Sequence, residues 1–397
     1  MRILFVGDAF SVHTARWIAQ LRPTGWDVHL FDPLNRLLHE ELEGIAIHTG
    51  WKKTANPPGA RVSYVWPFLR GRHFFQRNLP AVWALILPET GRRLARLIEK
   101  LKPDVIHSLG LQSHSEAVLR AMDLLGGELP SPWIYSSRGS DVFFYGQRPE
   151  QREPIRRVLS SCGYYFCDCQ RDVHLARREG FRGEVLGIVP GGGGYPVREM
   201  VGMAGRLLPS QRRTIAVKGL QTEVGNARAA IDALRICSGR LRGYAVKLYQ
   251  AHAVTREAAR RLGEDTGTIV EIVPRSSNRK IWSLFGEARI SLGISYSDGL
   301  PNSLIEAMIM GAFPIQTDPG GATAEWIADG VNGRLVPPDD PGAIAATIVE
   351  ALGADEKVDA AMEINRRLAF ERADEAKIRK LVVEAYQYVI EIGRARS

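Results

Sequence analysis

The sequence predicts an α/β protein of two domains, each a parallel sheet flanked by helices, and three observations carry that expectation. The chain has 397 residues, which at roughly 150 residues per domain is enough for two cores. Short runs rich in Val, Ile and aromatic residues alternate with helix-length amphipathic segments, the pattern of repeated strand–helix–strand units. Four consecutive glycines, 191–194, divide those runs into two sets.

The first set of predicted strands lies at residues 3–6, 28–31, 62–65, 105–108, 133–136, 164–167 and 185–189. The second lies at 214–217, 245–249, 268–273, 290–294, 313–316 and 333–336. All are short and nearly continuously apolar, as buried parallel strands are. Between the sets, Pro190-Gly191-Gly192-Gly193-Gly194-Tyr195-Pro196 cannot pack a core and reads as a hinge. We therefore expect an amino-terminal domain over 1–197 and a carboxyl-terminal one over 198–372. Residues 372–394 read as one long helix, with Ile378, Leu381, Val382, Ala385, Tyr386 and Ile390 near helical spacing. That helix, within 373–397, is expected to cross back and complete the first domain. Open α/β sheets bind ligands at the carboxyl ends of their strands, so the expected site is a cleft between the two facing domains.

Composition excludes several classes. With 45% hydrophobic and 24% charged residues, disorder and collagen-like structure are ruled out. The longest apolar run, inside 79–87, is far short of the ~20 residues that span a bilayer. Residues 1–8 read as a first strand rather than a signal peptide. Cys162, Cys167, Cys169 and Cys237 make no disulfide framework in a chain this long, which favours a cytoplasmic setting. With His174 the first three invite a zinc reading, but they lack a Cys-x-x-Cys pair and surround the apolar Tyr164-Tyr165-Phe166, so no metal is expected. Asp32 ends a strand as a dinucleotide-binding acid would, yet no Gly-x-Gly-x-x-Gly precedes it, and a nicotinamide cofactor is rejected.

Net charge is +8, and residues 52–100 alone hold ten positive charges against two negative ones. Trp51, Trp66, Phe68, Phe74, Phe75 and Trp83 are interleaved with them. Such a stretch suits an anionic membrane surface or an anionic acceptor, or else a solvated face over core aromatics. No nucleic-acid-binding motif accompanies it, and no such partner is expected.

Chemistry concentrates in residues 295–315. Ser295-Tyr296-Ser297-Asp298-Gly299-Leu300-Pro301 forms a loop after a strand, Asn302 and Ser303 are N-cap types that open a helix, and Gly311 closes it. A helix amino terminus aimed at a cleft attracts anions. Asp298 lies in the loop and Glu306 in the first turns of the helix. Taken alone, Glu306 also fits a capping or solvated glutamate.

This stretch resembles the carboxyl-domain signature of retaining, family-four-like glycosyltransferases of the GT-B fold. Pro103-Asp104-Val105-Ile106-His107-Ser108, Arg138-Gly139-Ser140-Asp141, Val189-Pro190-Gly191-Gly192 and Thr317-Asp318 with Gly320-Gly321 resemble further elements of that family, in the same order along the chain. The resemblance implies two facing Rossmann-like domains. It implies transfer of a sugar from a nucleotide-diphosphate sugar to a saccharide or lipid-linked acceptor, with retention of configuration and without a metal or other cofactor. Glu306 would hold the ribose, Asp298 would face the sugar, and Gly299, Leu300, Pro301, Asn302 and Ser303 would cradle the diphosphate. Asp298 stands where the family has glutamate, and Arg138 where it has histidine.

A cation must neutralise the departing diphosphate. Lys218, in Lys218-Gly219-Leu220-Gln221, and Arg228 are the candidates, although both also fit solvated positions. Pro274 and Arg275 resemble the loop that holds the base, and Gly7 what remains of the amino-terminal glycine pair. His107 at a strand end is a candidate for contact with sugar or acceptor, or else a packing histidine. His13, Arg138 and Asp141 are expected on the acceptor side. A nucleotide-sugar epimerase of the same fold and a catalytically silent saccharide-binding or scaffold protein are the alternatives. A peripheral position at the inner membrane face would suit a lipid-linked acceptor.

Overall fold

The computed structural model describes residues 1–51, 56–66 and 90–396. The predicted apolar run within 79–87 and most of the basic, aromatic stretch, including Lys52, Lys53, Phe68, Arg70, Arg72, Phe74, Phe75, Arg77 and Trp83, lie outside the described residues. The chain divides into two compact units: Met1–Asp168, Asp172–Gly193 and Ile378–Ser397 form the first, and Cys169–Arg171 with Gly194–Lys377 the second. The division falls inside the four-glycine run, between Gly193 and Gly194.

In the first unit the strands are β1 (Arg2–Val6), β2 (Asp27–Phe31), β3 (Ala46–Trp51), β4 (Arg61–Trp66), β5 (Val105–Leu109), β6 (Trp133–Ser136), β7 (Tyr164–Cys167) and β8 (Glu184–Ile188). They form one sheet in the order β4-β3-β2-β1-β5-β6-β7-β8, parallel throughout. Alternation along β1 supplies both faces: Ile3 and Phe5 enter one core, Leu4 and Val6 the other. The carboxyl-terminal helix Glu375–Arg396 begins where Asp374 Oδ1 accepts the N–H groups of Ala376 (3.1 Å) and Lys377 (3.4 Å). It buries Ile378, Val382, Tyr386, Val389 and Ile390 in the first unit's core, while Leu381 is exposed.

In the second unit β9 (Thr214–Lys218), β10 (Ala245–Tyr249), β11 (Ile269–Ile272), β12 (Ala288–Gly293), β13 (Phe313–Gln316) and β14 (Arg334–Leu335) pair in the order β11-β10-β9-β12-β13-β14. Here too the pairing is parallel, and Ile215 and Val217 of β9 point into one core and Ala216 into the other. Both sheets reverse their order beside the first strand. The switch falls between β1 and β5 in one and between β9 and β12 in the other, the position at which open α/β sheets take ligands.

All thirteen predicted runs fall on strands. β3 is not expected from sequence, because Ala46-Ile47-His48-Thr49-Gly50-Trp51 carries polar or small residues at four of its six positions. It forms nonetheless because His48 stacks on His29 of β2, ring centroids 5.2 Å apart, and Thr49 is buried.

Candidate active site

The site of the second unit is built at the carboxyl ends of β9, β10 and β12. Lys218 ends β9, and its Nζ lies 3.1 Å from Asp298 Oδ2 in the loop after β12, an ion pair that is partly exposed. The loops after the two strands are tied together. Gly225 bridges Ser295, Tyr296 N–H donates to Val224 O (2.8 Å), and Asn226 N–H donates to Ile294 O (3.0 Å). The Asn226 side chain caps its helix, Ala227–Ile236, at Ala229 N–H and donates to the Tyr296 hydroxyl (2.8 Å). Directly after β13, Thr317 Oγ1 accepts Ser295 N–H (2.9 Å) and donates to Ser295 O (2.7 Å), which fixes where the loop leaves the sheet.

Gly219, directly after Lys218, has to be small. A Cβ there would stand 2.7 Å from Ala251 Cα, and its N–H donates to Tyr249 O (2.8 Å). The glycine thus lets the ends of β9 and β10 close on each other, with Lys218 and Tyr249 at their tips.

The helix after the loop runs from Asn302 to Met310 and ends at Gly311, whose φ of 88° is left-handed. Its N-cap is Pro301, not Asn302 or Ser303, which occupy the first helical turn. A proline in extended backbone caps the helix one residue earlier than side-chain capping predicts, so Ser303 lies inside the first turn. Ser303 is hydrogen-bonded to the buried Tyr249 hydroxyl. Burial pushes that phenol up, with the neighbouring carboxylates Glu306 and Asp298 adding to the shift. Glu306, in the second turn, is 8% exposed. Leu300 and Leu304 anchor loop and helix in the core with Tyr249. Arg212 Nη1 donates to Met310 O (3.1 Å) and Arg366 Nε to Ile309 O (3.2 Å), so cations close the carbonyl end of this helix. Arg171 of the second unit donates from Nη1 to the carbonyls of Asp298 (2.9 Å) and Pro319 (2.6 Å).

The structure thus brings together Lys218, Gly219, Asp298, Ser303 and Glu306. Arg228 is exposed in the first turn of Ala227–Ile236, with its N–H on Gln221 Oε1 (2.9 Å). Pro274 and Arg275 follow β11 and are exposed. Ser276 donates to Pro274 O (2.8 Å), while Ser277 takes the N-cap position of the next helix. Tyr249 and Arg171 were not singled out from sequence. The terminal tyrosine of the run 245–249 was a readable signal, whereas nothing local marks Arg171.

The first unit holds the remaining candidates. Gly7 follows β1, with its N–H on Phe31 O (3.1 Å). His13 lies in the first turn of the helix Val12–Ala19, whose N-cap is Ser11. Arg138 and Asp141 share the turn after β6: Asp141 accepts the N–H groups of Arg138 (2.8 Å) and Leu111 (3.0 Å) and the Tyr135 hydroxyl (3.1 Å). Burial raises the Asp141 carboxyl to about 6. His107 differs from the expected strand-end position. It lies inside β5, fully buried, with Nδ1 2.5 Å from the Tyr386 hydroxyl and Nε2 2.7 Å from Ser136 Oγ. Phe5, Trp17 and Phe166 pack around the ring. Both nitrogens are occupied, so the side chain is a packing histidine and is not presented to a ligand. The cysteines are buried and form no disulfide among the described residues.

Two Rossmann-like units in one chain define the GT-B fold class, and solved structures of that class cover the whole chain. Anabaena HepE, crystallised with UDP-glucose, superposes with a TM-score of 0.67 at 14% identity over 98% of this chain and 100% of its own. Sucrose-phosphate synthase from Thermosynechococcus elongatus gives 0.70 at 15% over 99% and 100%. A glycosyltransferase from Rickettsia africae gives 0.68 at 15% over 98% of both chains. Residues 203–354 match the family model of group 1 glycosyl transferases, and residues 2–59 match that of the glycosyl transferase 4-like family. The chain thus has the GT-B fold, and two of its segments are similar to glycosyl transferase families. No curated protein sequence matches it significantly.

Proposed function

We propose that the protein transfers a sugar from a nucleoside-diphosphate sugar to an acceptor hydroxyl with retention of anomeric configuration, and that the donor lies at the carboxyl ends of β9, β10 and β12. The observation that carries this reading is the Lys218–Asp298 pair at the switch point of the second sheet, in the loop that leads into the helix carrying the buried carboxylate of Glu306. In this reading Glu306 accepts hydrogen bonds from the ribose hydroxyls, and the backbone from Gly299 to Ser303 lies along the diphosphate at the helix amino terminus. Lys218 neutralises the charge that builds on the diphosphate as the sugar–oxygen bond breaks. Asp298 orients the Lys218 ammonium and faces the sugar, and Arg275 lies beside the base. With a lysine and a helix terminus available, leaving-group stabilisation needs no metal.

HepE, of the same fold, was crystallised with UDP-glucose, which makes UDP-sugars the first donors to test. The acceptor is a saccharide or a lipid-linked saccharide. No helix among the described residues is long and apolar enough to cross a membrane, and we propose a cytoplasmic enzyme that meets a lipid-linked acceptor at the membrane surface. Calorimetric titration with a panel of nucleotide sugars, followed by product analysis with crude acceptor, tests the assignment. Binding and transfer to a glycoside of unchanged anomeric configuration is expected. Isomerisation of the donor, or binding without turnover, would replace transferase by epimerase or by silent binding protein. No binding of any nucleotide sugar would overturn the donor site.

A further inference from the structure

In the first unit the chain leaves β5 through Gly110, at φ 105°, into the turn Leu111–Ser115, where Ser113 also adopts a left-handed φ of 65°. A side chain on Gly110 has no room: its Cβ would stand 3.0 Å from His114 Nδ1 and 3.7 Å from Arg138 Cγ. The glycine therefore lets the His114 ring and the Arg138 stem lie together against the end of β5, beside the switch point with β1.

Three nitrogens of this cluster, Gln112 Nε2, His114 Nε2 and Arg138 Nη2, are buried with no hydrogen-bond partner among the described residues. A buried donor left unpaired is costly, so three drawn together from the turns after β5 and β6 point to a ligand rich in acceptors. Two of the neighbouring acceptors are already engaged. Asp141 holds two backbone N–H groups and the Tyr135 hydroxyl, and Gly191 O takes Arg138 Nη1. Asp168 is the other carboxylate near Arg138, and Arg36, paired with Asp8 at 3.2 Å, adds a further positive charge. Burial and the charges of Arg138 and Arg36 hold His114 down at about 4, so at neutral pH its ring is uncharged and has one N–H to donate. A guanidinium edge, an imidazole N–H and a carboxamide together complement an oxyanion.

We propose that Gln112, His114 and Arg138 bind an oxyanion, a carboxylate or a phosphate, carried by the sugar acceptor. The word acceptor rests on the glycosyltransferase reading; the anion site itself does not.

The test titrates the full chain with sodium phosphate, sodium glucuronate and glucose, at ionic strength matched with sodium chloride, by calorimetry and thermal shift. Phosphate or glucuronate is expected to bind where glucose does not. Arg138→Met and His114→Leu should each weaken that binding roughly tenfold or more, with cooperative unfolding as the check on folding. If Arg138→Met fails to fold, Gln112→Leu replaces it. Response to glucuronate alone assigns a carboxylate, and response to phosphate alone assigns a phosphate. No anion response beyond chloride, or equal affinity in the wild type and the folded variants, overturns the site. UDP-glucose is titrated in parallel: its failure to bind would count against the donor reading and leave the anion result standing.

Discussion

Replacing Lys218 by methionine separates what the ammonium does for the fold from what it does for the reaction. Its side chain is 16% exposed and that of Asp298 29%, at a separation of 3.1 Å. A pair so accessible to water contributes about 0–1 kcal/mol to stability, which lowers Tm by about 2–4 °C at most. The effect on turnover is larger, because the lysine meets charge that exists only as the diphosphate departs. Removing one such group costs about 3–4 kcal/mol, or roughly 10²–10³ in kcat. Asp298→Asn leaves the cation in place, and the double variant then decides how Lys218 acts. If the ammonium touches the diphosphate, the loss caused by Lys218→Met persists in the Asp298→Asn background; if it acts only by orienting Asp298, the double variant matches Asp298→Asn alone. Initial rates of nucleoside diphosphate release at saturating donor, with thermal denaturation alongside, supply both readouts. A Lys218→Met enzyme that keeps kcat within about threefold of wild type, a difference of less than 1 kcal/mol, would refute the assignment.

Glu306→Ala should weaken donor binding roughly tenfold or more, since hydrogen bonds to a carboxylate contribute about 1.5–3 kcal/mol each; unchanged calorimetric affinity would remove Glu306 from the ribose. His107→Leu breaks buried contacts to Tyr386 and Ser136 and should destabilise the protein by about 2–4 kcal/mol in urea unfolding, and a wild-type midpoint would contradict its packing role. Arg212→Met strips the donor from the carbonyls of Leu207, Ala288 and Met310 and should cost a comparable amount, about 2–4 kcal/mol, with the loss checked by the same unfolding assay. Burial holds His48 and His114 at about 4, against an ordinary value of 6.5. The unfolded chain therefore takes up protons first as pH falls, and the stability tied to these groups is complete above about 6.5 and lost toward 4. Asp141, raised to about 6, acts in the opposite sense because the folded chain binds its proton first. Two histidines outweigh one carboxyl by about 2–3 kcal/mol between pH 7 and 5, so the urea midpoint should fall on acidification, and a rise would refute the balance.

How far sequence reached depends on whether the deciding interaction is local. The strands were legible because parallel strands buried on both faces are apolar almost without interruption, and β3 was not because stacking on β2 rather than its own composition holds it. Glycine marked the end of the site helix at Gly311, where a left-handed φ is needed, and the start near Asn302 was legible too, but the cap is Pro301, whose extended backbone precedes the helix without a side-chain cap. His107 turned on strand length. The apolar run stops at Ser108 while β5 continues to Leu109, which carries His107 into the interior. Asp298 and Glu306 could be read together because one loop and helix carry both. Their partners could not. Lys218 is 80 residues from Asp298, and Tyr249 lies on a different strand from either. What joins them is the order β10-β9-β12, which places the ends of three strands side by side although the chain visits them far apart. Strand order is set by which helices cover which face, a property of the whole unit, and so the residues of the site could be nominated from sequence while their meeting could be found only in the fold.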